Sequence, residues 1–240
     1  MLDPETAKAV GQFAGTIEKV YDDLAHPVAS ELGKLFSMPL KIVNHYGDRL
    51  IEMMTKAKDA VPPERQLPAV TSIAGPIFEN VKYLEEGNPL LSMYQKLLTQ
   101  LIDSDGVMNV HPAFPKIIDQ LSADEAFLLY KIKEATVLRV RSFKYPKPGS
   151  YVTTNQEDQS LLAALLYPQH AEAYFSRLLL MGLVMESIHA DIPNANRALP
   201  DGGAVQHIAV NLTAFGELFA KACIPAVWEF PTVQRDDITV

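Results

Sequence analysis

The sequence predicts a mainly α-helical protein, with a helical N-terminal part followed by a winged-helix-like C-terminal part that contains a small β-hairpin. Three observations predict this class. Apolar residues recur at helical spacing, helix-start and helix-stop residues bracket those stretches, and two short strand-like runs lie on either side of a polar loop. We expect a helical part at 1–106, a winged-helix-like part at 107–224 and a tail at 225–240.

The N-terminal part reads as a series of helices interrupted by proline. Breaks are predicted at Pro27 and Pro39, because proline lacks the backbone donor that a helix interior needs. After Pro39, an apolar stripe at helical spacing runs from Leu40 through Met54. After a proline-rich connection, helices are predicted at about 69–85 and 89–103.

The middle of the chain carries stronger local signals. Residues 103–106 have the composition of a turn, and Ser122 with Glu125 forms the pattern of a capping box that starts a helix. Residues 137–141 alternate and are rich in β-branched residues, which predicts a short strand. The stretch 144–156 is predicted to be a loop, and the helices that follow it are predicted at 157–166 and 168–181.

The predicted helices and strands of the C-terminal part follow one another in the order of a winged helix-turn-helix. Gly182 is placed to end a helix, since glycine tolerates the left-handed conformation that this position requires. Strands are predicted at 183–190 and 204–210, with a polar loop between them and a closing helix at about 212–223. The winged-helix interpretation rests on this order alone and is therefore an analogy.

Composition limits the class of protein. Hydrophobic residues make up 48% of the chain, the level of a protein with a real core, and the net charge is −8, which argues mildly against a DNA partner. The single cysteine excludes an internal disulfide. Neither a signal peptide nor an apolar stretch of membrane-spanning length is visible, so a cytoplasmic location is expected.

The chemistry-bearing residues form no recognisable catalytic motif, and we expect no catalytic residue, metal site or cofactor. His170 and Glu172 match only half of a zinc deaminase signature. Cys223 lies in an apolar helix and is expected to be a buried hydrophobe. His111 precedes Pro112 at a helix entry, where a structural role is favoured, and the adjacent pair Glu85 and Glu86 is expected on a solvated helix face.

One basic stretch is a candidate for contact with nucleic acid or phosphate. It contains six cationic residues against a single acid, Glu134, and the two arginines alternate along the predicted strand, so they share one face. The alternative is a solvated edge strand whose charges prevent unwanted pairing. The candidate residues are Lys131, Lys133, Arg139, Arg141, Lys144 and Lys147.

Several segments together resemble the abortive infection alpha family of bacterial proteins. The most specific are Val110-His-Pro-Ala-Phe114 and Gln120-Leu-Ser-Ala-Asp-Glu-Ala126, supported by Ile73-Ala-Gly-Pro76 and Leu212-Thr-Ala-Phe-Gly216. The similarity covers roughly residues 15 to 224. It implies a link to defence against phage, and it carries no catalytic residues over to this chain.

These observations predict a bacterial antiviral-defence protein that acts through protein contact, with a protein partner or a homo-oligomer. The first alternative is a nucleic-acid-binding regulator that uses the basic stretch at 131–147. The second is an enzyme whose site has no linear motif.

Overall fold

A computed structural model of the chain describes residues 40–147, 150–157, 159–188, 196–198 and 203–228. The chain divides into two compact units, Met1–Gln120 and Leu121–Val240. The described residues are mainly helical with a small antiparallel sheet, as the sequence predicts. The predicted helix breaks at Pro27 and Pro39 lie outside the described residues. The division into a helical part at 1–106, a winged-helix-like part at 107–224 and a tail at 225–240 stays a prediction.

The described part of the first unit contains four α-helices, which confirm the apolar stripes read from the sequence. Their bounds are Leu40–Asp59 (α1), Thr71–Val81 (α2), Leu90–Leu101 (α3) and Phe114–Gln120 (α4). The core between them is fully buried and includes Ile77, Phe78, Met93, Tyr94, Leu97 and Phe114. Because α2 ends at Val81, Glu85 and Glu86 lie in the connection to α3, and their predicted helix face is wrong.

The predicted turn at 103–106 is confirmed, and an arginine holds it in place. Arg65 belongs to a short 3₁₀ helix, Pro63–Arg65, in the connection between α1 and α2. Its guanidinium donates to Asp103 over 2.7 Å and to Asp105 over 2.8 Å. Asp103 in turn accepts the backbone N–H of Asp105, which is the local bond that makes aspartate favourable in turns.

The described part of the second unit contains four α-helices, one of which begins with the predicted capping box. The bounds are Ala123–Glu134 (α5), Gln159–Ala163 (α6), Ala171–Leu180 (α7) and Ala214–Cys223 (α8). In the capping box, Ser122 accepts the N–H of Glu125, and the Glu125 side chain accepts the N–H of Ser122. The α6 helix is shorter than predicted, and a 3₁₀ turn at Pro168–His170 precedes α7.

Gly182 ends α7 as predicted. Its φ is +69°, a conformation that side chains with a Cβ rarely adopt. The N–H of Gly182 donates to Leu179 O, and the N–H of Leu183 donates to Leu178 O. This pair of bonds is the Schellman arrangement, which satisfies the last carbonyls of the helix and turns the chain toward the sheet.

Five antiparallel strands form the described sheet, in the order β2-β1-β5-β3, with β4 also paired to β5. Their bounds are Val137–Lys147 (β1), Ser150–Glu157 (β2), Val184–Ile188 (β3), Asn196–Ala198 (β4) and Ala204–Leu212 (β5). The predicted strands at 137–141 and 204–210 are confirmed, and the one predicted at 183–190 is confirmed over Val184–Ile188, with residues 189–190 outside the described part of the chain. The β3 strand pairs with β5 from Val184↔Leu212 to Ile188↔Ile208.

The predicted loop at 144–156 is wrong, because this stretch continues β1 and forms β2. Its prolines and glycine suggested irregular structure. Pro146 lies where the register of the pair shifts, between Lys144 and Lys147, and such an irregularity is one of the few places where a strand tolerates proline. The β-branched run from Val152 to Thr154 lies in the returning strand.

Candidate functional site

The two arginines of the basic stretch do share one face of β1, and both contact the same carboxylate. Arg139 donates to Glu186 over 2.8 Å, and Arg141 donates to the other oxygen of Glu186 over 2.6 Å. Glu186 lies on β3, on the far side of β5 from β1. In the order of the sheet, β5 therefore lies between the strand that carries the arginines and the strand that carries the glutamate with which both pair.

Arg139 is buried, with 2% of its surface exposed. Its guanidinium also pairs with Glu172 in the first turn of α7 and lies 4.2 Å from the centroid of the Phe175 ring. An arginine stacked on an aromatic ring and paired with carboxylates has its charge well compensated. We call Arg139, Arg141, Glu172 and Glu186 the arginine–glutamate cluster.

The position of β1 bears on the interpretation of its charges. From Arg139 to Phe143 the strand is internal, paired with β2 on one side and β5 on the other, so the edge-strand alternative does not hold for Arg139 and Arg141. Two positive and two negative side chains make the arginine–glutamate cluster formally neutral. Contact between these arginines and phosphate stays a prediction, and it would require the ion pairs with Glu172 and Glu186 to open.

The two lysines at the end of α5 are also engaged. Lys131 pairs with Glu134 over 3.2 Å and lies near the rings of Phe127 and Tyr130. Lys133 donates to the backbone oxygens of Ile224 and Pro225, at 3.0 and 3.3 Å. Lys133 therefore holds the segment that follows α8.

The remaining two candidate lysines, Lys144 and Lys147, lie in the last part of β1, opposite Val152 and Ser150 of β2. The positions of their side chains lie outside what the structure describes. The basic stretch is therefore divided between a neutralised cluster on the sheet, the end of α5 and the end of the β1–β2 hairpin.

The start of the tail packs against α5. The rings of Tyr130 and Trp228 have centroids 5.7 Å apart. A hydrogen bond from the phenol to the Glu134 carboxylate raises the pKa of Tyr130 and lowers the pKa of Glu134, and Lys131 lowers the latter further.

A second polar cluster, at the start of α5, was not expected from the sequence. Asp124 accepts the backbone N–H groups of Leu166 and Tyr167 over 2.7 and 2.9 Å. Burial, together with a hydrogen bond to Asp124, raises the pKa of Tyr174 to about 12. The only sequence signal for this cluster is the capping box, which predicts a role for Ser122 and Glu125 but says nothing about Asp124.

Glu125 combines its capping role with a tertiary ion pair. It is fully buried, and the oxygen that accepts the N–H of Ser122 also accepts a bond from Arg177 of α7 over 3.1 Å. Asp124 and Glu125 thus fasten the segment around α7 to the start of α5. This arrangement fastens local elements of the second unit to one another.

The other residues considered for chemistry have structural surroundings. His111 accepts the N–H of Ala113 at its Nδ1, and its ring lies 5.6 Å from Phe114. Cys223 is buried, and burial raises the pKa of its thiol well above the usual value. Within the described residues, no three His, Cys, Asp or Glu side chains are grouped so that they could hold a metal ion. None of the described helices has the length and apolarity to cross a membrane.

The geometry defines a class: a mainly helical protein whose second unit joins a helix to an antiparallel sheet through the ion pairs of a buried arginine. The family model for abortive infection alpha matches residues 45–223, most of the chain. The chain belongs to the abortive infection alpha family, as the sequence resemblance predicts. No curated protein and no solved structure matches it.

Proposed function

We propose that this chain is a bacterial phage-defence protein that acts in the cytoplasm through protein contact or self-association. Family membership over residues 45–223 is the observation that carries the link to abortive infection. The proposed mode of action rests on the second unit, whose described charged side chains largely compensate one another in ion pairs. A surface of this kind favours contact with protein over attraction of a polyanion.

We also propose that the second unit is a winged-helix variant. The helix α5 precedes β1, α7 precedes β3, and the three strands lie in the order β1-β5-β3, which supports this assignment. The β2 strand and the short β4 strand would be additions to that plan. Under this assignment, α7 takes the place of the recognition helix.

The exposed residues of α7 favour a protein partner. A helix that reads DNA presents arginine, lysine, asparagine or glutamine to the bases. The exposed residues of α7 are mostly of other types: Glu172, Ala173, Ser176, Arg177 and Leu180, the last 86% exposed. Arg177 is the one cationic residue of the helix, and it pairs with the buried Glu125.

A nucleic-acid-binding regulator is the second candidate function. It is supported by Lys144 and Lys147, which lie close together along the chain at the end of the β1–β2 hairpin with no acid between them. Phosphate contact needs cations of this kind and no catalytic machinery. Arg139 and Arg141 pair with Glu186. Fewer cations are therefore available for the phosphate contacts of a nucleic-acid-binding regulator. The enzyme alternative draws no support from the described residues.

The test of the proposed function is phage plaquing and host survival in cells that express the chain. We expect fewer plaques and early death of infected cells relative to an empty vector. Phe175→Asp places a charge in the buried core of the second unit, so this variant controls for the burden of expression and should give no protection. Unchanged plaquing across a broad phage panel would contradict a defence role for the chain by itself.

A further inference from the structure

The strand β3 forms one edge of the described sheet, and among the described residues its outer side pairs with no other strand. The N–H of Thr213 donates to Leu183 O over 3.0 Å, and these two residues continue the register of β3 with β5, so they form a hydrogen-bonded pair. In an antiparallel ladder, bonded and non-bonded pairs alternate. Every second residue of β3 therefore directs its backbone N–H and C=O away from β5. These residues are Val184, Glu186 and Ile188.

The β3 edge lacks the usual protection against pairing. Natural sheets guard their edges with lysine, proline, bulges or uncompensated charges. The strand Val184–Ile188 contains no lysine, proline or glycine, and its register with β5 is regular. Its one charged residue, Glu186, is paired with Arg139 and Arg141. A strand added at this edge would therefore find free backbone groups and would bury no unpaired charge.

One flank of the helix α7 lies on the same side as the β3 edge. The helix packs against β3, whereas α5 packs against β5. Tyr174 and Arg177 turn toward the start of α5. At 100° per residue, Ser176 and Leu179 lie on the opposite side of the helix, and the exposed Leu180 adjoins them. We call Ser176, Leu179 and Leu180 the α7 flank.

We propose that the β3 edge of one copy pairs with the β3 edge of a second copy, which joins the two sheets and brings the two α7 flanks face to face. The pairing is antiparallel and two-fold symmetric, the commonest symmetry of protein dimers. Each outward N–H of one strand then lies opposite an outward C=O of the other. The dimer rests on the proposed function, of which it specifies the self-association surface.

The two layers at this edge favour a second copy as the occupant. A two-fold contact covers strand and helix together, because each copy supplies both. An extended peptide from another protein could add to the strand, but it would leave Leu180 in water. The α7 flank carries no charge, and Glu172 on the same side of the helix is paired with Arg139. Two flanks can therefore meet without repulsion between unpaired charges.

The nature of the contact sets how association should respond to conditions. Each copy contributes a strand of five residues and one helix flank, which is a small interface, so we expect a dissociation constant on the order of 10 μM. Backbone hydrogen bonds and apolar contact are not screened by salt as exposed ion pairs are. Association should therefore persist at about 0.5 M salt, where the screening length is roughly 4 Å.

The first test is sedimentation velocity of the full chain over a range of concentrations, with a proline at the strand edge. Ile188→Pro removes an outward N–H and spares the bonds to β5, since a strand tolerates proline where its N–H faces outward. It should weaken association by roughly tenfold. Ile188→Thr is the matched control, because threonine is also β-branched and keeps the N–H. This control should associate within about threefold of the unaltered chain.

A second variant tests the helix layer. Ser176→Glu places like charges on facing flanks and should also weaken association by roughly tenfold. Met108→Glu puts the same charge at a strongly exposed position of the first unit and should leave association unchanged. Circular dichroism reports whether each variant is folded.

Amide hydrogen exchange of the unaltered chain locates the contact without any substitution. Exchange over Val184–Ile188 should be slower in concentrated than in dilute protein, because the outward N–H groups become bonded in the dimer.

Three results would overturn the dimer: a chain that is monomeric at every concentration, association that Ile188→Pro and Ser176→Glu leave unchanged, or exchange over Val184–Ile188 that does not depend on concentration. None of these bears on plaquing, so the dimer and the defence role fail separately. A monomeric chain that protects cells from phage would assign the β3 edge to a strand of a different protein.

Discussion

The role of Arg139 in the structure differs from the role that the sequence predicts for it. By composition it belongs to a basic stretch, but in the fold it is a buried cation held by two carboxylates and an aromatic ring. The carboxylates that pair with Arg139 come from α7 and β3, which are distant along the chain. No local sequence pattern therefore predicts these contacts. Charge reversal of Arg139 would therefore test the fold before it tested any contact with phosphate.

The two carboxylates around Arg139 should differ in their effect on stability. Glu186→Gln should lower the free energy of unfolding by about 2 kcal/mol, because it leaves buried Arg139 with less compensation. Glu172→Gln should cost under about 1 kcal/mol, since the Glu172 side chain is 56% exposed and water can replace it. Urea unfolding of both variants measures the difference. Equal losses would mean that the two carboxylates share the charge of Arg139 equally.

Among the elements, α7, β3 and α8 meet at a junction that is held by hydrogen bonds and by a close backbone contact. Thr213 caps α8 by accepting the N–H of Gly216 and donates to the Gly182 carbonyl over 2.6 Å. Gly216 lies so close to Leu183 that a Cβ would overlap its carbonyl oxygen. The start of α8 and the end of α7 are thus packed backbone to backbone.

A methyl group at this junction should be costly. Gly216→Ala should destabilise the protein by about 2 kcal/mol or more, although alanine is the better helix former, because the backbone must move apart. The matched variant Glu217→Ala changes an exposed neighbour in the same turn and should shift the free energy of unfolding by less than about 0.5 kcal/mol. Thermal unfolding followed by circular dichroism compares the two. A stabilised Gly216→Ala variant would show that the close approach to Leu183 is wrong.

These elements also show where sequence reasoning succeeds. The capping box at Ser122 and the end of α7 at Gly182 were predicted correctly, because both depend on bonds to residues only a few positions away. The β1–β2 hairpin was missed, because proline and glycine mark a loop and a tight hairpin alike. The clusters around Arg139 and Asp124 could not be predicted, since their partners are brought together only by the sheet and by packing of the helices.

At the scale of the whole molecule, the central claim is that the chain acts through protein contact and not through nucleic acid. The net charge of −8 repels a polyanion, and the described cations are mostly committed to carboxylates or backbone carbonyls. Of the six cations of the basic stretch, four are committed in this way, which leaves few of them for the phosphate contacts that give a dedicated binder its steep salt dependence.

The most direct test is the binding of the full chain to single- and double-stranded DNA and RNA across a salt titration, with Lys144→Glu plus Lys147→Glu as the matched variant. We predict no binding above background at near-physiological salt, and no difference between the chain and the variant. Binding that weakens in proportion to the logarithm of the salt concentration, and that the variant loses, would contradict the account and favour a nucleic-acid-binding regulator.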